Sequence, residues 1–281
     1  MTQCPTVPII VLTDLDGTLL DHHDYSTTAA TEALTLLKRH QIPVIFNTSK
    51  TQPEVLQLRR TLANTSPYVC ENGGAIYYST GDTDSEPEWL CELPGASYSD
   101  ILHVLHDLRK DGFNFRGFND MTDTEVAAIT GLSTDDAHFA RQRAATEPLL
   151  WRGGDNSESG DSSIEHFRQA LNAHGLRLLK GGRFYHVMGD ADKASAVDFF
   201  RHHYTQRWLL DTPPIVIALG DGENDKAMLE ASDYPVVIPG ESGTLELNNT
   251  NTITADFKGP KGWNSAILSL LEKLLKETCS G

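Results

Sequence analysis

Uninterrupted apolar runs alternate with amphipathic stretches near the start of the chain. The runs at 7–13, 43–47 and 68–70 predict β-strands, because such runs are typical of strands that are covered on both faces. The segments 27–40 and 53–62, which lie between these runs, predict helices; the first carries its apolar residues at helical spacing and the second begins at Pro53. This strand–helix alternation indicates a parallel sheet with right-handed crossovers.

The same alternation returns in the last third of the chain, and the region between is less regular. The later elements are predicted helices at 192–206, 223–231 and 263–276 and predicted strands at 214–219 and 235–238. We therefore predict an α/β fold, with a Rossmann-like doubly wound parallel sheet core and an inserted α+β cap domain. The predicted core comprises residues 1–86 and 191–281, and the predicted cap comprises residues 87–190.

Composition and charge narrow the possible classes of function. The chain has 281 residues, of which 39% are hydrophobic, and a formal net charge of −16. Such an acidic protein is not expected to bind nucleic acid or an anionic membrane. The apolar runs are too short to cross a bilayer, the N-terminal residues do not follow a secretory pattern, and the four cysteines form no CxxC pair. These features favour a cytoplasmic protein with reduced thiols.

Acidic residues follow two of the predicted strands. Asp14 and Asp16 come directly after the first strand, and Asp221 and Asp225 come directly after the strand at 214–219. Ligands of open α/β sheets bind at the carboxyl ends of the strands. Carboxylates at a buried strand end need a compensating cation, and carboxylate oxygens are ligands that Mg²⁺ prefers.

These segments resemble the motifs of the haloacid dehalogenase-like phosphohydrolases. Asp14–Thr18 matches the DxDGT motif, and Gly220–Asp225 matches the GDxxND motif. Thr48 stands where the family has a Thr or Ser at the end of the second strand, and Lys193 stands where it has a Lys. The resemblance covers both predicted halves of the core, and it places the inserted cap after the third strand.

The resemblance also implies roles for these residues. Asp14 is the expected nucleophile, Asp16 the expected general acid and base, and Thr48 and Lys193 the expected ligands of the phosphoryl oxygens. Mg²⁺ is the expected cofactor. Its expected ligands are Asp14, the backbone carbonyl of Asp16, and Asp221, with Asp225 in support.

Within that superfamily the chain is similar to the mannosyl-3-phosphoglycerate phosphatases. The shared segments are Asp21-His22-His23, Asn47-Thr48-Ser49-Lys50-Thr51, Glu71-Asn72-Gly73-Gly74, Arg141-Gln142-Arg143, Glu147-Pro148, Gly182-Arg183-Phe184 and Gly259-Pro260-Lys261-Gly262-Trp263. The similarity implies a small anionic sugar-phosphate substrate and a product, mannosylglycerate, that is a compatible solute. The implied substrate-binding residues are Thr48, Ser49, Lys50, Glu71, Asn72, Arg141, Arg143, Arg183 and Lys193.

Several alternatives stay open. The substrate is alternatively glucosyl-3-phosphoglycerate, sucrose phosphate or a hexose phosphate, and the enzyme is alternatively a phosphomutase or a regulator that has lost catalysis. Lys50 alternatively caps the next helix, Glu71 and Asn72 alternatively shape a turn, and the cap arginines alternatively lie in solvent. His186, in the predicted hairpin of the cap, either faces the substrate or is a partly buried polar group.

Overall fold

The protein contains two β-sheets, each covered by helices. A computed structural model describes residues 7–80, 88–152, 160–181, 183–240 and 243–279. The predicted boundary between residues 86 and 87 and the shared-motif residue Gly182 lie outside these ranges. The division into core and cap domains therefore stays a prediction, and the two sheets are described below as they are observed.

The larger sheet has eight strands in the order β12-β11-β10-β1-β2-β3-β4-β5. Strands β12 to β3 in this order run parallel, and β4 and β5 are antiparallel to their neighbours. The strands are β1 (Ile9–Thr13), β2 (Val44–Asn47), β3 (Tyr68–Cys70), β4 (Ala75–Ser79), β5 (Trp89–Glu92), β10 (Ile215–Gly220), β11 (Tyr234–Val237) and β12 (Ile253–Thr254).

Helices cover both faces of this sheet because its central strands are apolar on both sides. Ile9 and Val11 of β1 pack in one cluster with α1 (Thr31–Arg39), α2 (Gln52–Thr61) and α9 (Gly259–Cys279). The alternate residues Ile10 and Leu12 pack in a second cluster with α7 (Lys193–Arg207) and α8 (Lys226–Ala231). This arrangement is a doubly wound α/β sheet, which confirms the predicted fold class.

Three strands of the larger sheet differ from the prediction. Strands β4 and β12 are not predicted, and β5 falls within the predicted cap. In the structure β5 pairs with β4 from Ser79↔Trp89 to Ile76↔Glu92 and forms one edge of the larger sheet. The larger sheet therefore extends past residue 86 to at least Glu92.

The smaller sheet is antiparallel and has four strands in the order β6-β7-β9-β8. These strands are β6 (Phe115–Gly117), β7 (Thr146–Trp151), β8 (Leu176–Lys180) and β9 (Tyr185–Gly189). Helices α3 (Tyr98–Lys110) and α6 (Gly160–Ala173) share one hydrophobic cluster with it. Helices α4 (Asp123–Thr130) and α5 (Thr134–Ala140) form another with Phe118, Leu150 and Phe184. Within the described part of the chain, no helix has the length and apolarity to span a membrane.

Candidate active site

The carboxyl ends of β1 and β10 bring the two acidic motifs together. The two strands are hydrogen-bonded neighbours with Thr13 opposite Leu219. The N–H of Asp14 donates to the carbonyl of Leu219 at 2.9 Å, so Asp14 stands directly beside the start of the second motif. The hydroxyl of Thr18 donates to Oδ1 of Asp221 at 2.8 Å and joins the motifs a second time.

Lys193 lies between two carboxylates at this edge of the sheet. Its Nζ is 2.5 Å from Oδ1 of Asp14 and 2.6 Å from Oδ1 of Asp225, and its side chain is fully buried. Lys193 is the first residue of α7, which Asp192 caps by accepting hydrogen bonds from the N–H groups of Ala194 and Ser195. Burial opposes the positive charge, but the attraction of Asp14 and Asp225 outweighs it and raises the pKa of Lys193.

Three carboxylates share this space with Lys193. One oxygen from each of Asp14, Asp221 and Asp225 lies within 4.8 Å of the others. Burial, and then repulsion by Asp225, raise the pKa of Asp14 well above its ordinary value and that of Asp221 to about 6. Such an excess of carboxylate over cation fits a hard divalent cation, which would favour the ionised forms.

Asp16 is turned toward a different partner. Its Oδ2 forms an ion pair with Nζ of Lys50 at 2.8 Å, and its Oδ1 is buried without a hydrogen-bond partner among the described residues. The side chain of Asp16 is not a member of the three-carboxylate group, and metal binding through its backbone carbonyl stays a prediction. The buried Oδ1 is therefore an unused hydrogen-bond acceptor.

Gly17, directly after Asp16, lies against Asp221 of the second motif. Gly17 has φ of 79°, which places it in the left-handed region that favours glycine. A Cβ at this position would lie 2.7 Å from Oδ2 of Asp221, which is closer than real Cβ atoms come to such atoms. The glycine of DxDGT therefore lets the first motif approach the second.

Thr48 lies at the end of a third strand at this edge of the sheet. It follows β2, its N–H donates to the carbonyl of Val69 at 3.1 Å, and its side chain is buried. Its Oγ1 accepts a hydrogen bond from the N–H of Lys50 at 3.3 Å. The structure thus places Asp14, Thr48 and Asp221 at the ends of β1, β2 and β10 respectively, and these three strands are neighbours in the sheet.

Two residues support the site in a way that was not predicted from the sequence. Asn47 Nδ2 donates to the carbonyl of Lys193 at 2.9 Å and so fixes the start of α7. Trp263 Nε1 donates to Oγ1 of Thr13 at 3.0 Å, and that hydroxyl donates to the carbonyl of Asp14 at 2.7 Å. Asn47 and Trp263 lie in the segments shared with the related phosphatases, and that sharing was the available signal for them.

Glu71 and Asn72 are engaged by other parts of the protein. The Glu71 carboxylate accepts hydrogen bonds from the N–H groups of Ala144 and Ala145 and from the hydroxyl of Thr146. Oδ1 of Asn72 accepts from Nδ2 of Asn224, a residue of the second motif, at 3.3 Å. Both residues have φ of 57° and are almost fully buried. Their hydrogen bonds tie the β3–β4 turn to its surroundings, and substrate binding by these two residues stays a prediction.

The three predicted cap arginines have different partners. Arg141 forms a close ion pair with Asp123 and also donates to the carbonyl of Phe118 at 3.2 Å. Arg183 is exposed and donates to the carbonyls of Ile129 and Thr130 at the end of α4. Arg143 donates instead to the carbonyl of Ser49, next to Thr48, at 3.2 Å. Of the three, Arg143 is the arginine that the described contacts bring to a residue of the candidate site.

Comparison with known proteins agrees with this arrangement. Residues 11–147 match the model of a haloacid dehalogenase-like hydrolase family. A glucosyl-3-phosphoglycerate/mannosyl-3-phosphoglycerate phosphatase of Persephonella marina is 33% identical over 96% of this chain and 100% of its own. A phosphatase of the same name from Methanococcoides burtonii is 38% identical over 94% and 97% of the two chains. A Thermoplasma acidophilum structure, 17% identical, has a similar fold with a TM-score of 0.64 over 94% and 98% of the two chains.

Proposed function

The chain belongs to the haloacid dehalogenase-like hydrolases and is a phosphoric monoester hydrolase, and on this premise we propose that it removes the phosphate from mannosyl-3-phosphoglycerate with Mg²⁺ as cofactor. The observation that carries the proposal is the position of Asp14. It lies 2.5 Å from a buried lysine and within one group of carboxylates with Asp221 and Asp225. The product is mannosylglycerate, which places the enzyme in the biosynthesis of a compatible solute in the cytoplasm.

Asp14 is the nucleophile in this proposal. One oxygen of its carboxylate attacks the phosphorus and forms an aspartyl-phosphate, while the bond from phosphorus to the leaving oxygen breaks. Lys193 is buried and donates hydrogen bonds to both Asp14 and Asp225, so its ammonium group is held beside the nucleophile. Its ammonium and the hydroxyl of Thr48 stabilise negative charge on the phosphoryl oxygens.

Asp16 serves as general acid and then as general base. It gives a proton to the leaving oxygen in the first step, and in the second it takes a proton from the water that attacks the aspartyl-phosphate. The second step releases inorganic phosphate and restores Asp14. The ion pair with Lys50 holds the Asp16 side chain, which is two residues from the nucleophile.

The residues present fit a Mg²⁺ ion. Asp14, Asp221 and the backbone carbonyl of Asp16 would hold it, and Asp225 would support them through its hydrogen bonds from the N–H groups of Asp221 and Gly222. When bound, the ion neutralises charge on the phosphoryl group and on the carboxylates.

Glucosyl-3-phosphoglycerate is a second candidate substrate, because both curated relatives are named for the glucosyl and the mannosyl compound. The two substrates differ in the configuration of one hydroxyl group. A panel of both compounds with sucrose phosphate and hexose phosphates, compared by kcat/KM, tests the choice. Preference for a phosphate outside the first two contradicts the proposed substrate, and transfer of phosphate to a second sugar in place of hydrolysis indicates a phosphomutase.

Asp14→Asn tests the nucleophile. The variant keeps the size of the side chain but loses the nucleophilic oxygen, so we expect turnover to fall by a factor of ~10³ or more with an unchanged circular dichroism spectrum. EDTA should stop the wild-type enzyme until Mg²⁺ is restored. Turnover of Asp14→Asn near the wild-type rate would show that the nucleophile is a different residue.

A further inference from the structure

The smaller sheet has one face that is not occupied by its main hydrophobic cluster. Leu149 of β7 and Val187 of β9 point into the cluster with α3 and α6. Because side chains alternate along a strand, Thr146 and Pro148 of β7 and His186 of β9 belong to the opposite face. Pro148 and His186 are direct partners in the antiparallel register, so they are neighbours on that face.

That face meets the candidate active site. The hydroxyl of Thr146 donates to Oε2 of Glu71 at 2.7 Å. Nη1 of Arg143 donates both to that hydroxyl, at 3.1 Å, and to the carbonyl of Ser49, at 3.2 Å. Arg143 therefore lies between this face of the smaller sheet and the residue that follows Thr48. The hydrogen bonds of Arg143 among the described residues go to neutral oxygen atoms, and the Thr146 hydroxyl lies between its guanidinium and the Glu71 carboxylate.

His186 presents a buried nitrogen on the same face. Its Nδ1 is inaccessible to solvent and has no hydrogen-bond partner among the described residues. Gly181 faces the other edge of the ring, where a Cβ would lie only 3.0 Å from Nε2. Burial, and then the charge of Arg143, lower the pKa of His186 to about 3. The ring is therefore neutral at physiological pH, and an unpaired buried nitrogen of this kind is costly unless a ligand satisfies it.

We propose that Arg143 and His186 form a subsite for a carboxylate on the leaving group of the substrate. Arg143 supplies the charge, since a guanidinium binds carboxylates by paired hydrogen bonds. His186 donates a hydrogen bond from Nδ1 to the same group. The inference rests on the proposed function, because it assigns a binding role within that substrate. His186 is then a specificity-determining residue that contacts the glycerate moiety and not the phosphoryl group.

The test compares two substrates that differ only in this group. One is mannosyl-3-phosphoglycerate, and the other is the same compound with a hydroxymethyl group in place of the carboxylate. For His186→Leu we expect kcat/KM for the carboxylate substrate to fall by a factor of about 10 or more, which is the size of one hydrogen bond to a charged group. The value for the hydroxymethyl compound should change by less than a factor of about 3.

Two further variants separate binding from folding. His186→Asn keeps a donor near the position of Nδ1, and we expect it to restore most of the preference for the carboxylate. His203→Leu is the matched control, because His203 is also partly buried but packs against Tyr78 of β4 and Phe199 of α7. It should leave the ratio of the two kcat/KM values unchanged. Thermal melting of all three variants shows whether each one folds.

The outcomes distinguish the inference from the proposed function. Wild-type preference for the carboxylate that persists in His186→Leu overturns the role of His186 and leaves the proposed function standing. Equal wild-type rates on the two compounds overturn the subsite but not the phosphatase. Wild-type turnover of a hexose phosphate and of neither compound overturns the proposed substrate, and the subsite with it. If His186→Leu fails to fold, His186→Phe replaces it, because it keeps a ring of similar shape without the donor; the same loss of preference is expected, and a preference that persists in His186→Phe overturns the role of His186.

Discussion

Glu147 offers a test of the electrostatics of the smaller sheet by its effect on stability. Its carboxylate is almost fully buried in β7 and accepts hydrogen bonds from the hydroxyl of Tyr98 and the N–H of Asn119, each at 2.8 Å. Both donors are neutral. Burial raises the pKa of Glu147 from 4.5 to about 7, although these two hydrogen bonds act in the opposite direction.

The raised pKa predicts the sign of a pH effect on folding. The folded state binds the proton more tightly, so the unfolded state ionises first as the pH rises. The stability that Glu147 contributes is fully present below pH 4.5 and is lost as the pH approaches about 7. At about 1.4 kcal/mol for each unit of pKa, the unfolding free energy should fall by about 3 kcal/mol over this range.

Glu147→Gln removes this dependence because the amide stays neutral at every pH. We expect the unfolding free energy of the variant, relative to wild type, to rise by up to about 3 kcal/mol between about pH 4 and about pH 8. Urea unfolding at several pH values, followed by fluorescence and circular dichroism, measures the unfolding free energy of both proteins. The titration of groups that the two proteins share cancels in the difference between them. Parallel pH dependences for the two proteins would refute the reasoning.

Glu125→Gln is the matched control. Glu125 is half-exposed and forms an ion pair with Arg116, and the hydrogen bond from Arg116 lowers the pKa of Glu125 to about 2. Its contribution to stability is therefore present above pH 4.5 and is lost as the pH falls toward about 2. The unfolding free energy of Glu125→Gln, relative to wild type, should therefore fall as the pH rises from about 2 to 4.5 and stay constant above that range.

Two further predictions concern the candidate active site. Gly17→Ala should lower both Mg²⁺ affinity, measured by calorimetry, and kcat/KM by a factor of ~10 or more, because the new Cβ would lie 2.7 Å from Asp221. Gly112→Ala is the control, since Gly112 has a similarly positive φ but a Cβ there would have nothing within 4 Å. This control variant should lose stability without losing Mg²⁺ affinity. Asp225→Asn should lower kcat by a factor of about 100 because Lys193 loses one of its two carboxylate partners. A kcat equal to that of wild type would show that Asp14 alone is enough to hold Lys193 in position.

The strand-end residues of the site were predictable because the pattern that identifies the strands also identifies their ends. Asp14 and Asp221 follow runs buried on both faces, and parallel strands deliver their carboxyl ends to one edge. Strand β5 was assigned to the cap because the polar segment 80–88, which contains Gly and Pro, separates it from the earlier strands. Its place at the edge of the larger sheet depends on pairing with β4, which local pattern does not specify.

The partners of the cap arginines were beyond local prediction for a similar reason. Arg141 and Arg143 are two residues apart and look equivalent in the sequence. The fold places one beside Asp123, 18 residues earlier, and the other beside Ser49, 94 residues earlier. A charge becomes available to a ligand only when the fold leaves it without an opposite charge, and sequence spacing carries no information about contacts of this range.

This distinction also bears on how a protein with a net charge of −16 would attract an anionic substrate. Lys193 is bound by Asp14 and Asp225, and Lys50 is bound by Asp16, so these lysines bring little net positive charge to the site. Among the described residues Arg143 hydrogen-bonds to neutral oxygen atoms and forms no ion pair, although its charge attracts the Glu147 carboxylate. A divalent cation among the carboxylates would supply the rest. We therefore expect Mg²⁺ to contribute to substrate binding as well as to the reaction, and its removal to weaken the binding of substrate to Asp14→Asn.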